Sequence, residues 1–252
     1  MPAKRFAATV SYDGTGFVGS QRQPNGRTVQ QELETATLAI FGRPARVQLA
    51  GRTDSGVHAI GQVAAFSVET RLEAHTVGRA LNAHLPEDVA VRAVREVPEG
   101  FDPRRWARRR WYRYTIANGE AREPITRRNA WYVQGSLDIL AMGQAAEALA
   151  GRQDFIACSG ILEEGRTSVR TVFKAGWHSE SCALLFDIEA DAFLPQMVRR
   201  LTGSLVRVGR GFQTVEEFVR LLRQAEPGGL AHTAPAHGLC LQRVWYDEGY
   251  RL

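Results

Sequence analysis

The chain has 252 residues, of which 44% are hydrophobic and 23% charged, values typical of a globular protein that buries a core. No apolar run approaches the length of about 20 residues that spans a bilayer. No apolar signal-peptide core follows the N-terminus, so we expect no membrane segment. The formal net charge of +5 gives weak support for a polyanionic partner.

Helix and strand patterns alternate through the first half of the chain. Thr28 and Gln31 have the spacing of a capping box and predict a helix that stops at Gly42 and Pro44. The other elements predicted here are strands at 6–12, 45–49, 61–68 and 89–97 and a helix at 75–85.

The second half repeats this mixture. The patterns predict strands at 107–116, 167–177, 183–192 and 239–246 and helices at 137–149, 196–208 and from Thr214 to Gln224. Pro195 is expected in the first turn of the second of these helices, and Thr214 forms a capping box with Glu217. The chain is therefore predicted to be α+β with two halves, 1–102 and 103–252, joined near residues 99–103.

Asp54 stands in the most informative segment of the chain, Ala50-Gly51-Arg52-Thr53-Asp54-Ser55-Gly56-Val57-His58-Ala59. Strand patterns precede and follow the segment, so the acid is predicted on a loop that a rigid scaffold aims. If Arg52 lies close, its opposite charge favours the carboxylate form of Asp54. An ionised acid suits a nucleophile or an electrostatic stabiliser better than a proton donor.

Two other interpretations of this segment are weaker. Asp54-Ser55-Gly56 matches the aspartic protease motif, and a dimer could pair two such acids, but a neighbouring Arg52 opposes the shared proton that this chemistry needs. Asp54 and His58 lack a third metal ligand and have a glycine between them, so we expect no metal site and a structural His58.

Glycines and cysteines add no cofactor site to the prediction. Gly14, Gly16 and Gly19 follow a strand, but loop residues come next, which favours a glycine-rich loop over a dinucleotide-binding turn. The three cysteines include no CxxC pair, which argues against a zinc site or a disulfide framework and indicates a reducing cytoplasm.

Residues 104–114, here called the basic-aromatic segment, interleave six arginines with four aromatic residues. Strand alternation would place Arg108, Arg110, Tyr112 and Tyr114 on the face of Trp106. It would place Arg105, Arg109, Trp111 and Arg113 on the opposite face. Unstacked RNA is bound by arginines, which contact its phosphate groups, and by aromatic rings, on which its bases stack. A non-catalytic RNA-binding module is therefore the alternative hypothesis from another functional class.

A second candidate cation follows an apolar pair later in the chain. Met197-Val198-Arg199 begins an amphipathic helix, which would carry Arg199 inward, where it needs a carboxylate partner. Asp54 is a candidate for that partner.

Taken together and in this order, the segments resemble the tRNA pseudouridine synthases of the TruA type across essentially the whole chain. The most specific piece is the segment around Asp54. The other matching pieces are Tyr12-Asp13-Gly14-Thr15-Gly16-Phe17, Gln21-Arg22-Gln23, Arg27-Thr28-Val29-Gln30, Gly61-Gln62-Val63, Leu81-Asn82, Leu85-Pro86, Phe101 with Arg104, Tyr112-Arg113-Tyr114, Phe193 with Met197-Val198-Arg199, Gly203 and Gly238-Leu239.

The resemblance implies two α/β halves, each an antiparallel sheet with helices packed on one face, that form a central cleft. It implies a homodimer that holds tRNA across both subunits. It also implies isomerisation of uridine to pseudouridine at positions 38 to 40 of the anticodon stem-loop, with no metal or organic cofactor.

By position, the resemblance gives Asp54 the role of nucleophile. Three routes stay open: attack on the uracil ring, attack on the ribose C1′ and assistance of an elimination at the sugar. Tyr112 corresponds to the aromatic residue that packs on the target base. Arg199 corresponds to the ion-pair partner of Asp54, and Arg52 to the residue that holds the flipped nucleotide out of the stack. Arg104 is a further substrate-binding candidate.

Three places depart from the family pattern. Ser20 stands where tryptophan is usual, Pro103 replaces an alanine before Arg104, and Pro195-Gln196 replaces a pair of histidines. None of these changes removes a catalytic group.

Overall fold

The computed structural model describes residues 2–160, 165, 167–180 and 183–247. Its helices and strands are, in chain order, β1 (Ala3–Tyr12), α1 (Val29–Phe41), β2 (Gln48–Leu49), β3 (His58–Glu69), α2 (Ala74–His84), β4 (Val89–Val97), β5 (Arg109–Gly119), β6 (Trp131–Gln134), α3 (Ile139–Glu147), β7 (Gly151–Asp154), β8 (Val169–Glu180), β9 (Ala183–Ala190), α4 (Met197–Gly209), α5 (Val215–Gln224) and β10 (Leu239–Trp245). The α+β class that the sequence predicts is confirmed. Among the described residues, no helix is both long and apolar enough to cross a membrane.

The described residues form two compact units, one of residues 2–110 with 240–247 and one of residues between 111 and 239. The sequence-based division instead falls after residue 102 and leaves the end of the chain in the second half. The difference arises because β10 joins the sheet of the first unit beside β3. A pairing between strands so far apart in sequence leaves no local pattern that predicts it.

The sheet of the first unit has the strand order β4-β1-β3-β10, with β2 paired to β3. β1 lies antiparallel to both neighbours and places Phe6 opposite Phe66 and Glu96. β10 lies parallel to β3, with Cys240 opposite His58. Because β10 enters after the whole second unit, no hairpin fixes its direction, and the expected antiparallel sheet gains one parallel pair.

The core of the first unit covers both faces of its central strands. The adjacent residues Phe6 and Ala7 point to opposite faces of β1, and both are 0% exposed. The rings of Phe6 and Phe66 lie 5.9 Å apart, centroid to centroid. α2 packs on β4, where a Cβ on Gly78 would lie 3.2 Å from Cγ2 of Val94. These contacts make a rigid frame under the loops at the ends of β1 and β3.

The sheet of the second unit has the strand order β5-β9-β8-β7, and β6 pairs with β5 in parallel. β8 is antiparallel to both β7 and β9. α3 lies close against α4, because Gly209 has no side chain: a Cβ there would be 2.4 Å from Sδ of Met142. The largest fully buried side chains of this unit are Tyr114, Ile116, Met142, Leu149, Phe155, Phe186, Ile188 and Phe218.

The predicted elements are present with boundaries shifted by a few residues. The strand at 89–97 and the capping box of Thr214 with Glu217 are confirmed. The sequence did not predict β6 and β7, because a strand of four residues is too short to show a period.

The start of α4 differs from the prediction. Gln196 has φ 60° and ψ 2°, a left-handed conformation that cannot continue into a right-handed helix, so α4 begins at Met197. Pro195 therefore lies outside the helix rather than in its first turn.

Candidate active site

Asp54 lies on residues 50–57, here called the Asp54 loop, between β2 and β3 of the first unit. The predicted loop position is confirmed. The Asp54 carbonyl accepts a hydrogen bond of 3.1 Å from the Val57 N–H, which closes a tight turn. Gly56 has φ 78° in this turn, a conformation that favours glycine. Asp54 is half-buried and Arg52 is exposed.

The residue before the acid, Thr53, has all three of its polar groups bonded. Its N–H donates to Oγ of Ser20 at 2.9 Å, and its carbonyl accepts from the Ser20 N–H at 3.1 Å. Its hydroxyl shares a hydrogen bond of 2.8 Å with the hydroxyl of Tyr12. Thr53 is therefore held by β1 on one side and by the segment before α1 on the other.

The residues after the acid are held by the glycine-rich loop that follows β1. The Ser55 hydroxyl donates to the Phe17 carbonyl at 3.0 Å, and the Gly56 N–H lies 3.4 Å from the same oxygen. A Cβ on Gly14 would lie 2.1 Å from the Val57 carbonyl oxygen, so this approach requires glycine. The sequence assigned Gly14 to a glycine-rich loop rather than a dinucleotide site, and its packing against the Asp54 loop gives it a structural role.

The start of the Asp54 loop is held by β3 and by a buried arginine. The Ala50 N–H donates to the Val63 carbonyl at 2.8 Å, and Nε2 of Gln62 donates to the Gly51 carbonyl at 2.9 Å. Nη2 of Arg110 donates to the carbonyls of Ala50 and Arg104, each at 2.9 Å. Backbone contacts thus fix the loop on both sides of Asp54, so its carboxylate projects from a fixed Cα.

Two buried groups, Tyr12 and His58, lie beside the Asp54 loop. Burial raises the pKa of Tyr12 to about 12, so its hydroxyl stays protonated at neutral pH. Nδ1 of His58 accepts a hydrogen bond of 2.9 Å from the Gly14 N–H and lies 3.1 Å from Oδ1 of Asp13. His58 is buried, and its structural role stays a prediction. In the described ranges, no group of three or more His, Cys, Asp or Glu side chains could hold a metal ion.

Tyr112 and Arg199 belong to the second unit. Tyr112 is buried on β5, and its ring packs edge to face against Phe193, with centroids 5.0 Å apart and planes at 81°. Arg199 is the third residue of α4, and its Nε donates to the Ala234 carbonyl at 2.9 Å. Phe193 precedes the helix that carries Arg199, so one short stretch of chain both packs on Tyr112 and leads into α4.

Arg199 lies in the first turn of α4, which contains no acidic residue of its own. The ion pair of Arg199 with Asp54 stays a prediction.

The basic-aromatic segment is divided by the structure into inward and outward arginines. Arg110 is 8% exposed and bonds backbone carbonyls of its own unit. Arg113 binds both oxygens of Asp187 at 2.9 Å, and Arg108 binds both oxygens of Asp247. The predicted alternation of β5 is confirmed from Arg110 onward, since Arg110, Tyr112, Tyr114 and Ile116 are buried.

One of the outward arginines of this segment, Arg109, lies beside an aromatic side chain. Arg104, Arg105, Arg108 and Arg109 are exposed, and of these Arg108 binds Asp247. The guanidinium carbons of Arg109 and Arg243 lie 5.7 and 5.4 Å from the ring centroid of Trp245. These outward side chains, not the whole run, are the ones that solvent and a polyanion can reach.

Sequence reasoning located the acid but missed the residues that hold it. Ser20, Tyr12, Gln62 and Arg110 all bond the Asp54 loop, and all are buried. A polar residue within a predicted buried strand, such as Gln62, was the available indication.

Comparison with known proteins agrees with this site. The family model described as tRNA pseudouridine synthase matches residues 8–104 and 145–247. A protein of Citrifermentans bemidjiense named tRNA pseudouridine synthase A is 42% identical over 243 residues, which cover 95% of this chain and 96% of the relative. A protein of the same name from Roseiflexus castenholzii is 45% identical over 251 residues, which cover 97% of this chain and 92% of the relative. One from Myxococcus xanthus is 42% identical over 246 residues, which cover 97% of this chain and 93% of the relative. The chain therefore belongs to the tRNA pseudouridine synthase family, a family of isomerases.

Proposed function

We propose that this protein isomerises uridine to pseudouridine at positions 38 to 40 of the anticodon stem-loop of tRNA, with Asp54 as the nucleophile. The observation that supports this role is the Asp54 loop, whose backbone is bonded on both sides of the acid. A catalytic carboxylate needs such a support, because small displacements of a reacting group are costly in rate.

The isomerisation balances without a cofactor. The bond between N1 of uracil and C1′ of ribose breaks, a bond between C5 and C1′ forms, the C5 proton leaves and N1 gains a proton. Asp54 attacks the uracil ring, attacks C1′ or assists an elimination at the sugar, and each route uses a carboxylate with no net oxidation. The target nucleotide must first leave the helical stack.

Tyr112 is proposed to pack on the target base and to assist the proton transfer. Its ring is already oriented by Phe193, which reduces the entropy lost when a base stacks on it. Arg199, the third residue of α4, is proposed to be the ion-pair partner of Asp54, the role that the resemblance implies. Arg52, exposed two residues before the acid, is proposed to hold the flipped nucleotide.

The tRNA backbone is proposed to bind the exposed arginines of the basic-aromatic segment. Arg104, Arg105 and Arg109 are exposed, and the guanidinium groups of Arg109 and Arg243 lie near the ring of Trp245. Guanidinium groups bind phosphate oxygens in pairs, and the released counterions make such binding weaken steeply with salt.

We further propose a cytoplasmic homodimer that holds tRNA across both subunits. Light scattering of the purified protein with and without tRNA tests this part separately. A monomer in both samples would contradict the dimer and leave the proposed reaction unaffected.

Mapping pseudouridine on undermodified tRNA after incubation with the protein tests the function. We expect new pseudouridine at positions 38 to 40 and none with Asp54→Asn, whereas the matched acid variant Asp247→Asn, at an exposed site, stays active. Binding of tRNA without conversion would contradict the proposal and favour the RNA-binding module.

A second experiment separates the two roles proposed for Tyr112. Tyr112→Phe keeps the ring and its packing on Phe193 but removes the hydroxyl. If the hydroxyl moves a proton, this variant loses conversion in a single-turnover assay. Full activity would restrict Tyr112 to stacking.

A further inference from the structure

We propose that Ser20 is a positioning residue for the Asp54 loop, because its side chain and backbone together orient both peptide groups that flank Thr53. The kinetic part of this inference rests on the proposed function. Ser20 does not touch the reacting atoms in this proposal. It acts by setting the backbone orientation from which the side chains of Arg52 and Asp54 extend.

The geometry supports control of two successive peptide planes. The N–H of Thr53 belongs to the peptide group that joins it to Arg52, and this N–H donates to Oγ of Ser20 at 2.9 Å. The carbonyl of Thr53 belongs to the peptide group that joins it to Asp54, and it accepts from the Ser20 N–H at 3.1 Å. One residue therefore orients the planes that precede and follow Thr53.

Ser20 is itself held firmly enough for this task. It is 0% exposed, and its carbonyl accepts a hydrogen bond of 2.9 Å from the Gln30 N–H in the first turn of α1. Gly19 before it has φ 130°, and a Cβ there would lie 3.2 Å from the Thr53 carbonyl oxygen. The close approach of the two segments thus depends on glycine at 19 and on a small side chain that accepts a hydrogen bond at 20.

The position is informative because tryptophan is usual there in the resemblance described above. The indole N–H is a donor only, so a tryptophan side chain cannot accept the hydrogen bond that the Thr53 N–H donates. The side-chain contact to the Thr53 N–H therefore depends on serine at this position.

Ser20→Ala tests the proposal because it removes only the hydroxyl. Thr37→Val is the matched control, since Thr37 is also 0% exposed in the same unit and its hydroxyl donates to the Glu34 carbonyl within α1, away from the loop. We expect kcat for pseudouridine formation to fall about tenfold in Ser20→Ala with KM changed less than about twofold, and to stay unchanged in Thr37→Val.

The outcomes distinguish a failure of this inference from a failure of the proposed function. An unchanged kcat in folded Ser20→Ala, or an equal fall of kcat in Thr37→Val, would overturn the inference. Absence of turnover in the unsubstituted protein would refute the proposed function instead. If the unsubstituted protein shows no turnover, or if Ser20→Ala does not fold, hydrogen exchange is measured in the unsubstituted protein. We expect the Thr53 amide proton to be protected from exchange. Rapid exchange of this proton would overturn the inference.

Discussion

The Asp54 loop and the basic-aromatic segment are both rich in polar groups, but the structure treats them in opposite ways. In the loop, the bonded groups are polar groups of the backbone, and Arg52 and Asp54 are the residues proposed to act on the substrate. In the basic-aromatic segment, the bonded groups are side chains. Arg110 and Arg113 form hydrogen bonds within their own units, so only some of the arginines face outward. Charged residues that lie close together in a sequence therefore need not face the same surface.

Removal of the Asp54 carboxylate should have the largest effect on activity. Asp54→Asn should lower pseudouridine formation by about 10³-fold or more, because the amide is not a nucleophile, while the fixed backbone keeps the fold and the affinity for tRNA. Single-turnover assays, filter binding and thermal unfolding measure the three quantities. Near-normal turnover would show that Asp54 is not the nucleophile.

The contrast between inward and outward arginines is tested by neighbours in the segment. Arg110→Ala leaves the carbonyls of Ala50 and Arg104 without the donor seen here and should lower the free energy of unfolding by about 3 kcal/mol. Arg109→Ala, at an exposed residue, should change it by less than about 0.5 kcal/mol. Urea unfolding measures both, and equal effects would contradict the division of the segment.

The role of Tyr12 beneath the loop predicts a pH dependence. Burial raises the pKa of Tyr12 from 10.0 to about 12, so the folded state keeps a proton that the unfolded state loses first. Stability from this group is complete below pH 10.0 and falls as the pH rises toward about 12, by about 2 kcal/mol. Tyr12→Phe should therefore show a flatter decline of unfolding free energy between pH 9 and 11.

A parallel decline in the two proteins over that range would contradict the burial effect. The comparison is internal, because all other tyrosines are present in both. At neutral pH the variant should be less stable by about 1 kcal/mol, since it loses the hydrogen bond to Thr53.

The smallest expected effect concerns the outward arginines. Arg109→Ala should weaken tRNA binding a few-fold and reduce the slope of log Kd against log salt by about 1, the value for one phosphate contact. Arg43→Ala is the control, since Arg43 is equally exposed but lies after α1 and outside the segment. An unchanged slope for Arg109→Ala would place the RNA surface elsewhere.

Much of the fold followed from local patterns because its helices and strands carry clear periods and caps. The strand at 89–97 and the helix that begins after Thr214 were predicted as observed. The start of α4 was not, because the left-handed Gln196 is a residue type with no visible preference for that conformation. The parallel pairing of β10 with β3 was also missed, since nothing local links residues 240 and 58.

Residue types in a short, ordered stretch were enough to indicate the acid, the small residues beside it and the family. The groups that hold the loop and the arginines that face outward could be read only from the structure, because a hydrogen bond depends on where its partner lies in space. Thr53 bonds Ser20 and Tyr12, which lie far from it in sequence, and Arg110 bonds the carbonyl of Ala50, 60 residues away.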